Sequence, residues 1–351
     1  MPSSSSNAAR QKVIDSLLAL PDQLSQTWEE GKFLNLKKLS GTKYKNIICC
    51  GMGGSNLAME LVRDAFGGQL KVPVILVRNY HLPAFAAKDS LIIISSYSGT
   101  TEETISCLRE ARAKKLKIFC LSTGGEIIAQ AKKHQLPYYL LDAKHNPSGQ
   151  PRYGVGSQIG ILVALLSRLK FIRINDREIS SLIETLKQLN FSYWSKKNEA
   201  TPATGLAEEL AGKSLIIVGA QHLKANAHIL ANQINESAKN LAHPYFLPEL
   251  NHHLLDGLEL PRSVSKATKF LFLNSSAYEP GIAKRAAVTQ KILSRQKIAF
   301  ANYFAAADNS LAEALQTLLF GSWVSYYLSE INGADPTAIP WVKFLKTELK
   351  K

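Results

Sequence analysis

The sequence predicts an α/β protein made of two similar halves, each a mostly parallel β-sheet flanked by helices. Three observations carry that expectation. From residue 46 onward, short apolar runs of strand length alternate with helical patterns, the order that builds βαβ units. Runs such as 90–95 are continuously apolar rather than alternating, as expected of strands buried on both sheet faces. The strand–turn–helix pattern then starts again near residue 214, and 351 residues suit about two domains.

Taken in order, residues 1–11 are Ser-rich, lack the apolar core of a secretory signal, and read as a disordered tail. Residues 12–40 form an N-terminal helical segment, with Val13, Leu17 and Leu20 at helical spacing and a break at Pro21. The first half, 41–152, opens with strand 46–50, the turn Gly51-Met52-Gly53-Gly54-Ser55 and helix 56–66, whose Leu57, Leu61, Val62 and Ala65 share a face. Strands 72–77, 90–95, 117–121 and 137–141 and helix 126–134 complete it, and 142–151, with two prolines and a glycine, reads as a connector. Residues 153–200 are connecting helices, at 157–170 and 177–190. The second half, 201–334, carries strands 214–218, 269–274 and 297–302 and helices 223–236, 281–295 and 310–328. Asp335-Pro336 opens a C-terminal helix over 335–351.

The bulk numbers exclude several classes. Hydrophobic residues are 46% and charged residues 20% of the chain, an ordinary globular balance. No apolar run approaches the roughly 18 residues that cross a bilayer; the longest, 159–166, contains Gly160 and reads as a buried helix. Cys49, Cys50, Cys107 and Cys120 form no C-x-x-C pair, which points to buried reduced thiols in a cytoplasmic protein and gives no zinc spacing. The net charge of +14 suits anionic ligands, but no nucleic-acid-binding motif accompanies it.

The strongest local signal is Ser96-Tyr97-Ser98-Gly99-Thr100-Thr101, at the end of a buried strand and the start of a helix. Free N–H groups and partial positive charge at such a helix start suit a phosphate, and the hydroxyls of Ser96, Ser98 and Thr101 can add hydrogen bonds. The competing reading is a capping box of Thr100 with Glu103, which does not require so many hydroxyls around a glycine. The second signal, Gly51 to Ser55, lacks the G-x-G-x-x-G spacing because Asn56 stands at the sixth position. No acidic residue ends the next strand to hold a ribose, so Gly53, Gly54 and Ser55 read as a sugar-contacting loop rather than a dinucleotide loop.

Together the two loops resemble the sugar isomerase (SIS) domain, which implies two SIS-type subdomains of flavodoxin-like sandwich form. Gln150-Pro151-Arg152, Ile234-Asn235-Glu236, Pro248-Glu249-Leu250-Asn251-His252 and Asp335-Pro336-Thr337 leading to Lys346 occur in the order of the bifunctional phosphoglucose/phosphomannose isomerase family, a resemblance covering residues 40–350. That resemblance implies interconversion of glucose 6-phosphate, and of mannose 6-phosphate, with fructose 6-phosphate, without cofactor or metal. It implies Glu236 as the base at C1/C2, Arg152 as the cation facing the enediolate, His252 and Lys346 at ring opening, and Thr337 near the C2 epimer. It also implies a homodimer in which His252 comes from the partner subunit, glycolytic carbohydrate metabolism in the cytoplasm, and no nucleic-acid or membrane partner. Two departures stand out. His253 and Leu254 follow His252 where relatives continue Asn-Glu, and Tyr153 sits after Arg152 where relatives carry small alanines, so Tyr153 is expected to narrow the pocket. The alternatives are a non-catalytic SIS-type sugar-phosphate regulator, for which no DNA-binding helix-turn-helix is evident, and another SIS sugar-phosphate isomerase.

Overall fold

A computed structural model describes residues 4–195, 199–349 and 351. Two helices, α1 (Ser4–Leu18) and α2 (Leu20–Gly31), precede the first half: β1 (Asn46–Cys50), α3 (Gly54–Ala65), β2 (Val74–Val77), β3 (Ser90–Ser95), α4 (Glu102–Ala113), β4 (Lys117–Ser122), α5 (Gly125–Lys133) and β5 (Tyr138–Leu140). Three connecting helices follow, α6 (Val155–Arg168), α7 (Asp176–Tyr193) and α8 (Pro202–Leu210). The second half comprises β6 (Ser214–Ala220), α9 (Lys224–Gln233), β7 (Ala242–Leu247), α10 (Val264–Ala267), β8 (Thr268–Ser275), α11 (Pro280–Arg295), β9 (Ala299–Ala305) and α12 (Ser310–Ile331), and α13 (Pro340–Glu348) closes the chain.

Both sheets are parallel. The first has the order β2-β1-β3-β4-β5 and the second β7-β6-β8-β9. The strand order therefore reverses at the β1/β3 boundary and again at β6/β8, the positions beside which ligands bind in open α/β sheets. The apolar runs bury both sheet faces, as the sequence predicts. Ile47, Cys49, Leu91 and Ile93 enter the large core shared with the second half, while Ile48, Cys50, Ile92 and Ile94 pack with Cys107, Leu108 and Ile127 on the other side. Each leucine-sized side chain sealed in this way contributes about 2 kcal/mol.

Run 159–166 is the buried helix expected of it, within α6, and Gly160 has a packing reason. A Cβ there would lie 2.1 Å from the Thr27 hydroxyl oxygen, so α2 can approach only because the side chain is missing.

The structure corrects several expected boundaries. α1 begins at Ser4, inside the expected disordered tail 1–11. Ala8 and Ala9 favour helix, and Arg10 anchors it to the end of α12 through Glu330 at 3.1 Å and the Ala334 carbonyl at 3.2 Å. The C-terminal helix starts at Pro340 rather than at Pro336. The Asp335 carboxylate instead accepts the N–H groups of Thr337 (2.7 Å) and Ala338 (3.3 Å), folding 335–339 into a turn, and Pro340 opens the helix. α8 and β7 were not expected: β7 is an edge strand with Pro244 at its centre, which breaks the apolar run that betrays a strand. The first strand–helix pair is joined by the predicted turn, although α3 starts earlier, at Gly54.

The halves are pinned where α3 meets α9. Glu60, largely buried, is bound by Arg78 and lies 3.0 Å from His228 Nδ1, while the Ala225 N–H donates to Asp64 at 3.1 Å. Burial works to raise the Glu60 carboxyl, but His228, Arg78 and Arg63 outweigh it and hold it below the ordinary range. All four cysteines are free and buried; burial pushes the Cys49 and Cys120 thiols up to about 12.

Two outcomes follow. Cys49 and Cys120 should resist a thiol-titrating reagent in the native protein and react only on unfolding. Because the folded-state pKa of Glu60 is depressed, its contribution to stability is present above the unfolded carboxyl range and disappears as pH falls through the folded value. Glu60→Gln should therefore lower Tm at neutral pH, and the difference from the parent should shrink as pH is taken below about 4; a pH-independent difference would contradict the ion-pair account.

Candidate active site

The site is built at the open end of the first sheet. β3 ends in Ser95 and runs into the hydroxyl-rich loop. Gly99 is at φ +70, and a Cβ on it would lie 1.9 Å from the Gly124 carbonyl oxygen, so only glycine fits where this loop crosses the one before α5. α4 begins with Thr101 as its N-cap, but no side chain caps it: Thr101 accepts the Ser96 hydroxyl at 3.0 Å, and Thr100 turns to Ser98 at 3.1 Å. The Thr100–Glu103 capping box is thus not formed, and the first-turn N–H groups of α4 are left without a side-chain acceptor. Ser96 is buried and braces the loop by also accepting the Gly99 N–H at 3.1 Å, whereas Ser98 is exposed and Thr101 half-exposed.

The glycine loop lies directly alongside. The Ser55 hydroxyl accepts the Tyr97 N–H at 2.8 Å, and the Ser95 hydroxyl donates to the Ser55 carbonyl at 2.7 Å. The α-carbon of Gly54 faces the next segment, since a Cβ there would be 3.5 Å from Pro151 and 3.7 Å from the Arg152 nitrogen. Tyr97 makes a second link: Asn146 donates 2.7 Å to its hydroxyl and 3.0 Å to the Gln150 carbonyl. Gly53, Gly54, Ser55, the 96–101 loop and Arg152 are therefore one contiguous surface.

Arg152, almost wholly buried, joins that surface to the second half. Its Nη1 donates to Glu236 at 2.9 Å and to Gln150 at 3.2 Å, its Nε to the Ser237 hydroxyl at 3.0 Å, and its Nη2 to the Pro336 carbonyl. Glu236 lies in a π-helical turn, Ile234–Ala238, that ends α9. The wider turn swings the chain out of α-helical register, which presents the half-exposed Glu236 side chain toward Arg152 while Ser237 points inward. Lys239, in left-handed conformation at φ +53, terminates the turn and donates to the carbonyls of Glu236 at 2.5 Å and Asp335 at 2.8 Å. Burial, and then the charge of Arg152, lower the Lys239 ammonium from its ordinary range. Burial works to raise the Asp335 carboxyl, but hydrogen bonds from Thr337 and Ala338 and the charge of Lys239 hold it low.

The structure thus brings Arg152, Glu236 and the Asp335-Pro336-Thr337 turn together beside the two loops. It does not bring in His252 or Lys346. His252 is exposed on a 3₁₀ turn (Glu249–His252), and Lys346 is exposed on α13, on which Trp341, Phe344 and Leu345 are also solvent-facing. Tyr153 is corrected too: at 3% exposure it lies beneath Arg152, with its ring 5.3 Å from the guanidinium, and does not line the opening. Gln150, Ser237 and Lys239 were missed. Nothing in the spacing of Ser237 or Lys239 marks them, because Ser237 meets an arginine 85 residues away and Lys239 acts on backbone carbonyls, whereas Gln150 stands two residues from the arginine whose bond it accepts. Among the described residues no cluster of three or more His, Cys, Asp or Glu side chains is placed to hold a metal ion, and no helix is long and apolar enough to cross a membrane.

The chain is similar to known proteins over most of its length. Residues 199–349 match the bacterial phospho-glucose isomerase C-terminal SIS domain. The chain is 29% identical over 343 residues to a bifunctional phosphoglucose/phosphomannose isomerase of Caldicellulosiruptor bescii, covering 96% of this chain and 98% of that one. It is 28% identical over 312 residues to the protein of the same name from Aquifex aeolicus, covering 88% and 92%. Among solved structures, a hypothetical protein of Thermus thermophilus superposes with a TM-score of 0.73 at 16% identity, covering 98% of this chain and 94% of that one, a likeness of fold. The motif order, the paired parallel sheets and this similarity over most of the chain make it similar to the bifunctional phosphoglucose/phosphomannose isomerases, with a bacterial phospho-glucose isomerase C-terminal SIS domain matched over its second half.

Proposed function

We propose that this protein is an aldose–ketose isomerase that interconverts glucose 6-phosphate, and mannose 6-phosphate, with fructose 6-phosphate through an enediol. The observation that carries the reading is the Arg152–Glu236 pair at 2.9 Å, held at the junction of the two halves next to the hydroxyl-rich loop. A proton must leave C2 of the aldose and arrive at C1, and a carboxylate with one accessible edge can take it and return it. Negative charge gathers on the substrate oxygens as it leaves. A buried guanidinium fixed in place beside the base stabilises that charge without reorganising at the moment of reaction.

Phosphate recognition fits the other side of the crevice. Ser98 and Thr101, the first-turn N–H groups of α4, and the backbone near Gly53 and Gly54 supply donors, with Ser55 and Ser96 setting the loop shapes. The net charge of +14 draws a dianionic ester toward the site. Thr337, adjacent to the Pro336 carbonyl that Arg152 grips, stands where the C2 substituent of either epimer would be accommodated.

Ring opening requires a group that exchanges a proton between the ring oxygen and the C1 hydroxyl, and histidine titrates in the right range. His252 in a single chain is exposed and makes no hydrogen bond to the Arg152 cluster among the described residues. The assembly that completes the site is a homodimer in which His252 of the partner subunit reaches over Glu236. The exposed apolar side chains of α13 give a second copy a surface to cover, and Lys346 on that helix would move with it. The proposed setting is the cytoplasm.

A coupled assay with fructose 6-phosphate tests the reading. Turnover is expected, with mannose 6-phosphate active in the same assay. Glu236→Gln keeps an acceptor for Arg152 and should retain substrate binding while losing about 10²- to 10⁴-fold in kcat. Binding without turnover by the parent protein would favour a sugar-phosphate regulator. Ser98→Ala combined with Thr101→Ala should raise KM about tenfold or more with a smaller effect on kcat; an unchanged KM would remove the phosphate assignment.

A further inference from the structure

We propose that Tyr153 and Ser237 are a pair of positioning residues that fix the plane of the Arg152 guanidinium through its Nε, and so set the rate of the proton-transfer step. The inference rests on the isomerase function proposed above and names residues for it that are not part of the expected catalytic set.

The contacts of Arg152 fall into two kinds. Nη1 and Nη2 reach Glu236, Gln150 and the Pro336 carbonyl. Glu236 is the group whose charge changes when it accepts the proton, so its hold on Nη1 weakens at the moment when the guanidinium must stay in place. Gln150 is half-exposed, and Pro336, although itself buried, belongs to a turn whose neighbours are half-exposed. The Nε contact differs. Ser237 is fully buried and neutral, and it accepts from Nε at 3.0 Å. Its charge does not change at any stage of the reaction.

A serine hydroxyl by itself rotates freely, and here Tyr153 holds it. The Tyr153 hydroxyl donates to the Ser237 oxygen at 2.7 Å, and the tyrosine ring supports the guanidinium from below. Tyr153 is in turn fixed through its backbone. Its carbonyl accepts the amide of the buried Gln23 on α2 at 2.8 Å, and Gln233 donates to the Arg152 carbonyl at 3.2 Å. Burial raises the Tyr153 hydroxyl above its ordinary range, so it remains a protonated donor at working pH. Tyr153 belongs to the turn after the first half and Ser237 to the catalytic turn of the second. The one bond between them therefore keeps the cation and the base of the two halves in register.

The test is steady-state kinetics on fructose 6-phosphate with the parent enzyme, Tyr153→Phe, Ser237→Ala and the double variant, together with the Arg152 Nε–H resonance in arginine-labelled protein. Tyr153→Phe keeps the ring and removes only the donor. Each single variant should lose about five- to tenfold in kcat with KM within about twofold, and the double variant should be no slower than Ser237→Ala, because both changes break the same link. The Nε–H of Arg152 should exchange with solvent faster in Tyr153→Phe than in the parent. An unchanged kcat in Tyr153→Phe, additive losses in the double variant, or a loss confined to KM would overturn the proposal while leaving the isomerase reading intact. A parent enzyme that turns over no hexose phosphate would instead remove the reading on which it rests.

Discussion

The arrangement depends on one buried guanidinium. A single arginine, nearly closed off from solvent, takes acceptors from its own connector, from the π-helical turn of the second half and from the turn that leads to the last helix. A buried cation is costly unless each of its donors is met, so these three segments cannot shift independently without leaving charge unpaired. Placing its charged partner, the half-exposed Glu236, at the edge of this network gives a carboxylate that is held from one side and open on the other.

The rest of the fold brings those segments within reach. The glycine-assisted packing of α2 on α6 seats the connector, and Gln23 on α2 ties back to the segment around Arg152. α3 carries the glycine loop at its start and the Glu60 latch further along, and that latch docks α9, which ends in the turn bearing Glu236. The same two helices thus align the glycine loop with Glu236.

The four strands of the second sheet follow the order of the first four of the first sheet, but the two switch points differ. At the first switch point the loop is rich in hydroxyls and its helix start is uncapped by side chains. At the second, the protein fills the crevice itself: the buried Glu313 carboxylate lies 2.5 Å from His222, which follows β6, and 2.5 Å from the Ser275 hydroxyl at the end of β8. A carboxylate there has the wrong charge for a phosphate. The duplicated architecture therefore leaves first-turn helix N–H groups without side-chain acceptors at the first switch point, while the second half carries Glu236.

Sequence alone determined the parallel sheets, because strands buried on both faces must be continuously apolar, and it determined the place of the hydroxyl-rich loop between strand and helix, because hydroxyls around a glycine at a strand end are a local pattern. Its resemblance to a known family named Glu236 and Arg152. It did not reveal β7, whose edge position tolerates Pro244 and partial exposure, nor the inward course of Tyr153, nor the helix that begins at Ser4. Only the tertiary structure decided that Arg152 meets Glu236, Ser237 and Pro336 at once, and that His252 and Lys346 stay on the surface of the single chain. Local patterns follow from the backbone's own periodicity, whereas these pairings join residues far apart in the chain and depend on how whole helices pack.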